Sequence, residues 1–157
     1  MQKITPCLWF DTEAEAAAEL YVSLFADAKI LDVTHYGEAG HRPAGTVMTV
    51  TFMLEGQEYL ALNGGPEFPF TEAISFQIMC ADQEETDHYW NRLVEGGQES
   101  QCGWLKDKFG VSWQVVPTEL IELQKDADPE RARRAFQAML RMQRIDIAAL
   151  EKAADRA

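Results

Sequence analysis

The chain has few of the side chains from which small proteins build covalent cross-links. Its 157 residues include three cysteines, Cys7, Cys80 and Cys102. Three thiols cannot all pair within one chain, and none of them stands in the CxxC spacing of a zinc site or redox motif. This argues against a disulfide scaffold, and we expect three reduced thiols.

Long hydrophobic runs are also missing. No apolar stretch approaches the roughly 20 residues that a membrane-spanning helix needs. The N-terminal sequence MQKITPCLWFDTEAE turns acidic without the apolar centre of a signal peptide. We therefore expect a cytoplasmic protein with no membrane partner, and its length fits a single domain.

Basic side chains are scarce in the first three quarters of the chain. Residues 1–117 hold six basic and eighteen acidic side chains, whereas residues 118–157 hold eight of each, so the first segment carries the whole net charge of −12. Such an acidic surface repels phosphate backbones and anionic lipids. We expect no nucleic-acid partner.

The two halves of the chain repeat one order of elements. In the first half the pattern predicts a strand at 4–10 and a helix at about 13–26 that begins with a capping box, Thr12 to Glu15. Three strands follow, at 29–36, 46–54 and 58–62. The second half repeats this order with a strand at 73–80, a helix at about 83–95 capped by Asp82, and strands near 98–102, 104–106 and 111–116.

This repetition predicts an α+β fold with two βαβββ modules that form a curved mixed sheet around a cleft, followed by C-terminal helices. The predicted boundaries are module 1 at 1–63, a Gly- and Pro-rich linker at 64–72, module 2 at 73–117 and a helical extension at 118–157. In the extension, Asp128 caps a helix that begins at Pro129, and Asp146 begins a last one. We expect an apolar stripe on the first of these helices to form core or a dimer contact: Ala132, Ala135, Phe136, Met139 and Leu140.

Three phrases resemble the vicinal oxygen chelate superfamily of glyoxalases, bleomycin resistance proteins and dioxygenases. They are LWFDTEAEAAAELY, EAISFQIMCADQEETDHYW and QCGWLKDKFGVSWQVVP, and the C-terminal AFQAMLRMQRIDIAALEKA is similar too. The chain is most similar to the PhnB-like branch, labelled 3-demethylubiquinone-9 3-methyltransferase-like. The resemblance implies a βαβββ pair, a homodimer and a small-molecule ligand in a cleft.

The methyltransferase label conflicts with the sequence. A Rossmann-type methyltransferase needs a glycine loop after its first strand to hold its cofactor. Here the first strand runs into Asp11-Thr12-Glu13, without a glycine. We therefore expect no adenosylmethionine cofactor.

The resemblance also implies where a metal ion would bind, since metal-dependent members use His, Gln or Glu from the first and last strands of each half. Gln77 and Gln114 stand at two of these positions. Residues 4–8 contain neither His nor Glu, and Asn63 is the nearest polar group at the end of the first half. Two neutral amides bind a divalent ion weakly, so we expect no metal and no other cofactor. The three histidines, predicted at exposed positions, do not restore the site: His35, His41 and His88.

Eight side chains are candidates for binding a small molecule in the cleft: Gln77, Gln114, Ser75, Ser112, Asn63, Trp9, Trp104 and Cys102. The two amides suit a neutral polar ligand, or alternatively bond to each other and fill the space. Each tryptophan is either a cleft wall or core. Cys102 lies in a turn with no histidine near it in sequence, so no base is at hand to activate it. The hairpin at 106–108 is expected to be exposed.

Three functions of different classes remain open. The first is a metal-free small-molecule binder with an open cleft and amides at its base. The second is an enzyme acting on a small substrate as a metal-dependent lyase, isomerase or oxygenase, for which the cleft needs an ionisable group. The third is a structural or regulatory dimer whose cleft is filled by packed Gln77 and Gln114 side chains.

Overall fold

The computed structural model describes residues 2–156. The chain divides into two compact units, one ending at Phe70 and the other beginning at Thr71. No helix among the described residues is long and apolar enough to cross a membrane.

Module 1 is a four-stranded sheet with one helix. Strands β1 and β4 pair in parallel, and the other neighbours in the order β1-β4-β3-β2 are antiparallel. The elements are β1 (Cys7–Phe10), α1 (Ala14–Leu24), β2 (Ala28–His35), β3 (Val47–Leu54) and β4 (Gln57–Asn63).

Module 2 repeats this arrangement, with the sheet order β5-β8-β7-β6 and a parallel β5–β8 pair. Its elements are β5 (Ser75–Cys80), α2 (Gln83–Val94), β6 (Gln98–Glu99), β7 (Trp104–Lys106) and β8 (Ser112–Pro117). Three helices follow: α3 (Thr118–Gln124), α4 (Pro129–Met139) and α5 (Ile147–Asp155). The predicted α+β class, with two βαβββ modules and C-terminal helices, is confirmed, and the strands form one sheet per module rather than a shared one.

One face of each sheet is buried against its own helix. In module 1, alternate strand residues such as Phe10, Val50 and Phe52 are at most 2% exposed. Helix α1 meets them with Tyr21 and with a set of alanines that let it lie close to the sheet: Ala14, Ala17 and Ala18. Since strand side chains alternate, the other set points away from α1.

The capping box predicted at the start of α1 is wrong. The helix begins at Ala14, and the residue before it, Glu13, makes no side-chain capping bond. Instead the Asn63 Oδ1 atom accepts a hydrogen bond of 2.9 Å from the Ala14 N–H. The cap therefore comes from the end of β4, a tertiary contact that a local motif does not encode. The caps predicted for Asp82, Asp128 and Asp146 are confirmed, each carboxylate accepting a backbone N–H in the first turn.

The C-terminal helices pack on the end of β8. Val116 lies in one buried cluster with residues of α3, α4 and α5, which include Leu120, Ala135 and Leu150. The predicted stripe on α4 therefore divides: Ala135 and Met139 are buried, whereas Phe136 and Leu140 are 45% and 50% exposed.

The turn at Cys102-Gly103 holds these helices to module 2. The Cys102 and Gly103 N–H groups donate to the Met142 and Gln143 carbonyls, both at 2.8 Å. Gly103 has a φ of +84°, and a Cβ there would lie 2.8 Å from the Val115 oxygen. Only glycine fits this turn without strain.

The expectation of an exposed hairpin at 106–108 is wrong for Asp107, which is 3% exposed. Its Oδ1 atom accepts from the backbone N–H groups of Phe109 at 2.9 Å and Val111 at 3.0 Å. Its Oδ2 atom accepts from the Trp113 indole N–H at 2.9 Å. The carboxylate therefore organises the β7–β8 connection, because three donors converge on it.

We expect Asp107→Ala to lower the free energy of unfolding by about 3 kcal/mol, since three buried donors lose their acceptor. Urea denaturation followed by tryptophan fluorescence measures the change. Lys108→Ala, on the exposed part of the same turn, is the control and should change stability by less than about 0.5 kcal/mol. Equal effects of the two substitutions would contradict this role for Asp107.

Candidate functional site

The candidate site lies on the face of the module 2 sheet that points away from α2. Ser75 pairs with Ser112 and Gln77 with Gln114 across β5 and β8. On the other side of β8, Trp104 pairs with Gln114 and Lys106 with Ser112. Residues paired across a ladder share a face, so these six side chains lie together.

The two glutamines and Ser75 form a hydrogen-bonded chain on this face. The Gln77 Nε2 atom donates to Gln114 Oε1 at 3.3 Å, and Gln114 Nε2 donates to the Ser75 hydroxyl at 2.8 Å. Gln77 is exposed, whereas Ser75 and Gln114 are half-buried. The Gln77 carbonyl oxygen has no partner among the described residues and so remains available to accept a hydrogen bond. The amides are bonded to each other but are not packed into a core.

A pocket of about 130 Å³ opens beside this chain. Its lining includes Trp104, Lys106 and Ser112 from the strands, together with Glu72, Gln98 and Glu99. Ser112 is 2% exposed, and its hydroxyl has no hydrogen-bond partner among the described residues. A buried polar group without a partner costs roughly 1–3 kcal/mol, so native structures seldom leave one. The Ser112 hydroxyl is therefore a candidate to hydrogen-bond a molecule held in the pocket.

Charges of both signs surround the pocket. Lys106 forms an ion pair with Glu72, and the hydrogen bond from Lys106 lowers the pKa of the Glu72 carboxyl below its usual value. Glu99 accepts a hydrogen bond of 3.3 Å from the Trp90 indole N–H. The charges of Lys106 and Glu72 offset each other, and the Glu99 carboxylate, bonded to α2, adds negative charge nearby, which favours a neutral or cationic molecule over an anion.

The other predicted site residues lie elsewhere. The Asn63 side chain is used within module 1, where Nδ2 donates to the Val47 carbonyl at 3.1 Å besides the bond that Oδ1 accepts from α1. Trp9 lies against Gly64 and donates its indole N–H to the Gly65 carbonyl at 2.8 Å. Cys102 is half-buried against the C-terminal cluster. Ligand binding by any of the eight residues stays a prediction.

Sequence reasoning missed the charged and polar residues that line the pocket beside Trp104 and Ser112. Lys106 was detectable, since it alternates with Trp104 on a short strand next to Gln114 and Ser112. Glu72 and Gln98 gave no signal, because one precedes β5 in the linker and the other begins a two-residue strand.

The three thiols differ in environment, and none of them forms a disulfide. Cys80 is fully buried, and desolvation raises the pKa of its thiol to about 11. Cys7 lies on the exposed edge of β1, although partial burial raises the pKa of its thiol as well. At neutral pH both are protonated, and only Cys7 is open to a reagent.

The residues present do not fit either cofactor that the family resemblance suggests. At the positions expected for metal ligands, module 2 offers the amides of Gln77 and Gln114, and among residues 2–156 no three His, Cys, Asp or Glu side chains are grouped as a metal ion requires. For adenosylmethionine, β1 passes into α1 without a glycine, and each sheet is mixed rather than doubly wound.

The sequence matches a known protein family. A family model described as 3-demethylubiquinone-9 3-methyltransferase matches residues 2–116. The chain belongs to this family. The matched residues end before α3, so the similarity noted for the C-terminal helices lies outside them. No curated protein matches the chain.

Solved structures show the same relationship. The PhnB protein of Bacillus cereus, which carries the same family description, is 37% identical, with 74% of this chain and 99% of that chain covered and a TM-score of 0.69. A Pseudomonas aeruginosa protein is 20% identical, with 74% and 98% covered and a TM-score of 0.62. The second likeness shows the fold alone.

We expect the native protein to react with a thiol reagent such as DTNB at Cys7 and not at Cys80 at pH 8. The raised pKa keeps the Cys80 thiol protonated until the pH approaches about 11, and burial excludes the reagent. Mass spectrometry of the labelled peptides, with a urea-unfolded sample as control, measures this. Labelling of Cys80 at the same rate in both samples would contradict its burial.

Proposed function

We propose that this family member binds a small, neutral or cationic organic molecule on the open face of the module 2 sheet, without a metal ion. The observation that carries the proposal is the buried, unpartnered Ser112 hydroxyl in a pocket next to the Gln77–Gln114–Ser75 chain. The homodimer and the cytoplasmic location expected from the sequence remain part of this proposal.

The pocket indicates the size and chemistry of the ligand. Its volume of about 130 Å³ is close to that of a cavity that holds benzene. Trp104 supplies an aromatic wall, Ser112 a hydroxyl and Gln98 an amide. A ligand with a ring-sized apolar part and at least one N–H or O–H group matches these surfaces.

The alternative function, catalysis on a small substrate, requires an ionisable group in the site. Glu72 and Lys106 supply such groups. However, their ion pair lowers the pKa of Glu72, which makes this carboxylate a weaker base than an ordinary glutamate. Binding therefore has more support than catalysis, and methyl transfer has no cofactor site to support it.

Ser112→Ala separates a binding role from a structural one. The substitution removes a hydroxyl that has no partner in the unliganded protein, so we expect the free energy of unfolding to stay equal or to rise by about 1 kcal/mol. The same substitution should weaken ligand binding roughly fivefold, because one hydrogen bond to the ligand is lost. Hits from a thermal-shift screen of neutral and cationic ring-sized fragments provide the ligands for calorimetry.

Ser75→Ala and Gln57→Ala are the matched controls. The Ser75 hydroxyl already accepts a hydrogen bond from Gln114, so Ser75→Ala should lower the free energy of unfolding. Gln57 is exposed on module 1 and should change neither stability nor binding. A Ser112→Ala variant that binds every fragment as tightly as the parent chain would contradict the proposal.

The proposal also predicts the metal content of the purified protein. Elemental mass spectrometry after incubation with nickel, cobalt, manganese or zinc, followed by desalting, should find less than about a tenth of an equivalent per chain, because two amides hold these ions weakly. A metal content near one equivalent per chain that is lost in the Gln77→Ala variant would instead support metal-dependent chemistry.

A further inference from the structure

A second site lies outside the residues that the family model matches. An open groove of about 180 Å³ lies between helices α4 and α5. Two alanines, Ala138 and Ala153, and the Gln137 amide line it together with three arginines: Arg134, Arg141 and Arg156. No acidic residue is part of this lining.

The arginines around the groove differ in how their charge is balanced. Arg131 pairs with Asp126 and Asp155, and Arg133 pairs with Glu130. These two arginines are not in the groove lining, and their ion pairs already engage the nearby carboxylates.

The arginines of the groove itself have no such partners. Arg134 donates from Nε and Nη2 to the Ala154 carbonyl at 3.0 and 2.7 Å, which holds its guanidinium in place. Within residues 2–156, neither Arg141 nor Arg156 forms a salt bridge or a side-chain hydrogen bond. Three guanidinium groups thus line one groove whose lining, within residues 2–156, contains no carboxylate, in a chain whose net charge is −12.

We propose that this groove binds the phosphate group of a small molecule. Like charges held side by side repel one another, and an anion between them removes the repulsion. The planar guanidinium fork matches the oxygens of a phosphate. One arginine suffices for a carboxylate, whereas three can bond the three terminal oxygens of a phosphate monoester and offset its charge of about −2. The small alanine side chains leave room for the group to approach.

Two sources of the phosphate differ in what else they contact. A soluble phosphate ester needs the groove alone. A phospholipid would also bring a membrane surface against the rim of the groove. The acidic remainder of the chain disfavours a polyanion such as a nucleic acid and favours a single phosphate group.

Inorganic phosphate is the probe. We expect calorimetric titration at constant ionic strength to show saturable binding, and the double variant Arg141→Gln, Arg156→Gln to weaken it roughly tenfold or more, since charge-assisted hydrogen bonds are lost. Lys152→Gln, which removes an exposed charge on α5 outside the groove lining, is the control and should change the affinity by no more than about twofold. Acetate titrated in the same way should bind more weakly than phosphate.

Vesicles distinguish the two sources. Sedimentation with phosphatidylglycerol vesicles but not with phosphatidylcholine vesicles, lost in the double variant, would assign the site to a lipid phosphate even without binding of free phosphate. Binding of phosphate no better than acetate, together with no vesicle binding, would overturn the proposal. So would a double variant that binds like the parent chain. Neither result bears on the module 2 pocket, whose residues are separate.

Discussion

The arrangement of this protein depends on a geometric limit: one helix can cover only one face of a four-stranded sheet. In module 2, helix α2 buries the side chains of β5 and β8 that point towards it, among them Ile78, Trp113 and Val115. The opposite face is left to polar residues at the intervening ladder positions. Because β5 and β8 pair in register, the amides and hydroxyls of that face meet as neighbours instead of being scattered.

The C-terminal helices limit how much of this face stays open. They bury Val116 at one end of β8 in their own apolar cluster, whereas Gln114 and Ser112 lie further along the same strand. The Cys102-Gly103 turn makes the arrangement possible, since its backbone bonds to the segment between α4 and α5 and admits no side chain at Gly103. The helices thus separate an apolar end of the sheet from a polar one.

Buried polar groups divide into two kinds in this molecule. Asn63 and Asp107 have partners for their side-chain oxygens, and each joins parts of the chain that the backbone ladders do not. Ser112 is equally buried but has no partner. Partnered groups account for stability, whereas an unpartnered one beside a cavity indicates a site where something else supplies the bond. Charged groups divide in the same way: Arg131 and Arg133 form ion pairs with carboxylates, whereas the described arginines of the α4–α5 groove do not.

The sequence by itself determined the order of elements, the repetition of the module and three of the four helix caps tested, because these depend on periodicity and on residues close in the chain. It also indicated that Gln77 and Gln114 bond to each other as one of two alternatives, whereas their positions on neighbouring strands of one sheet came from the structure. Only the tertiary structure decided that Asn63 caps α1, that Asp107 is buried, that Glu72 and Lys106 meet at a pocket and that Arg141 and Arg156 share a groove. Each of these depends on a partner from another element, and the pairing of distant elements is set by packing, which no short stretch of sequence encodes.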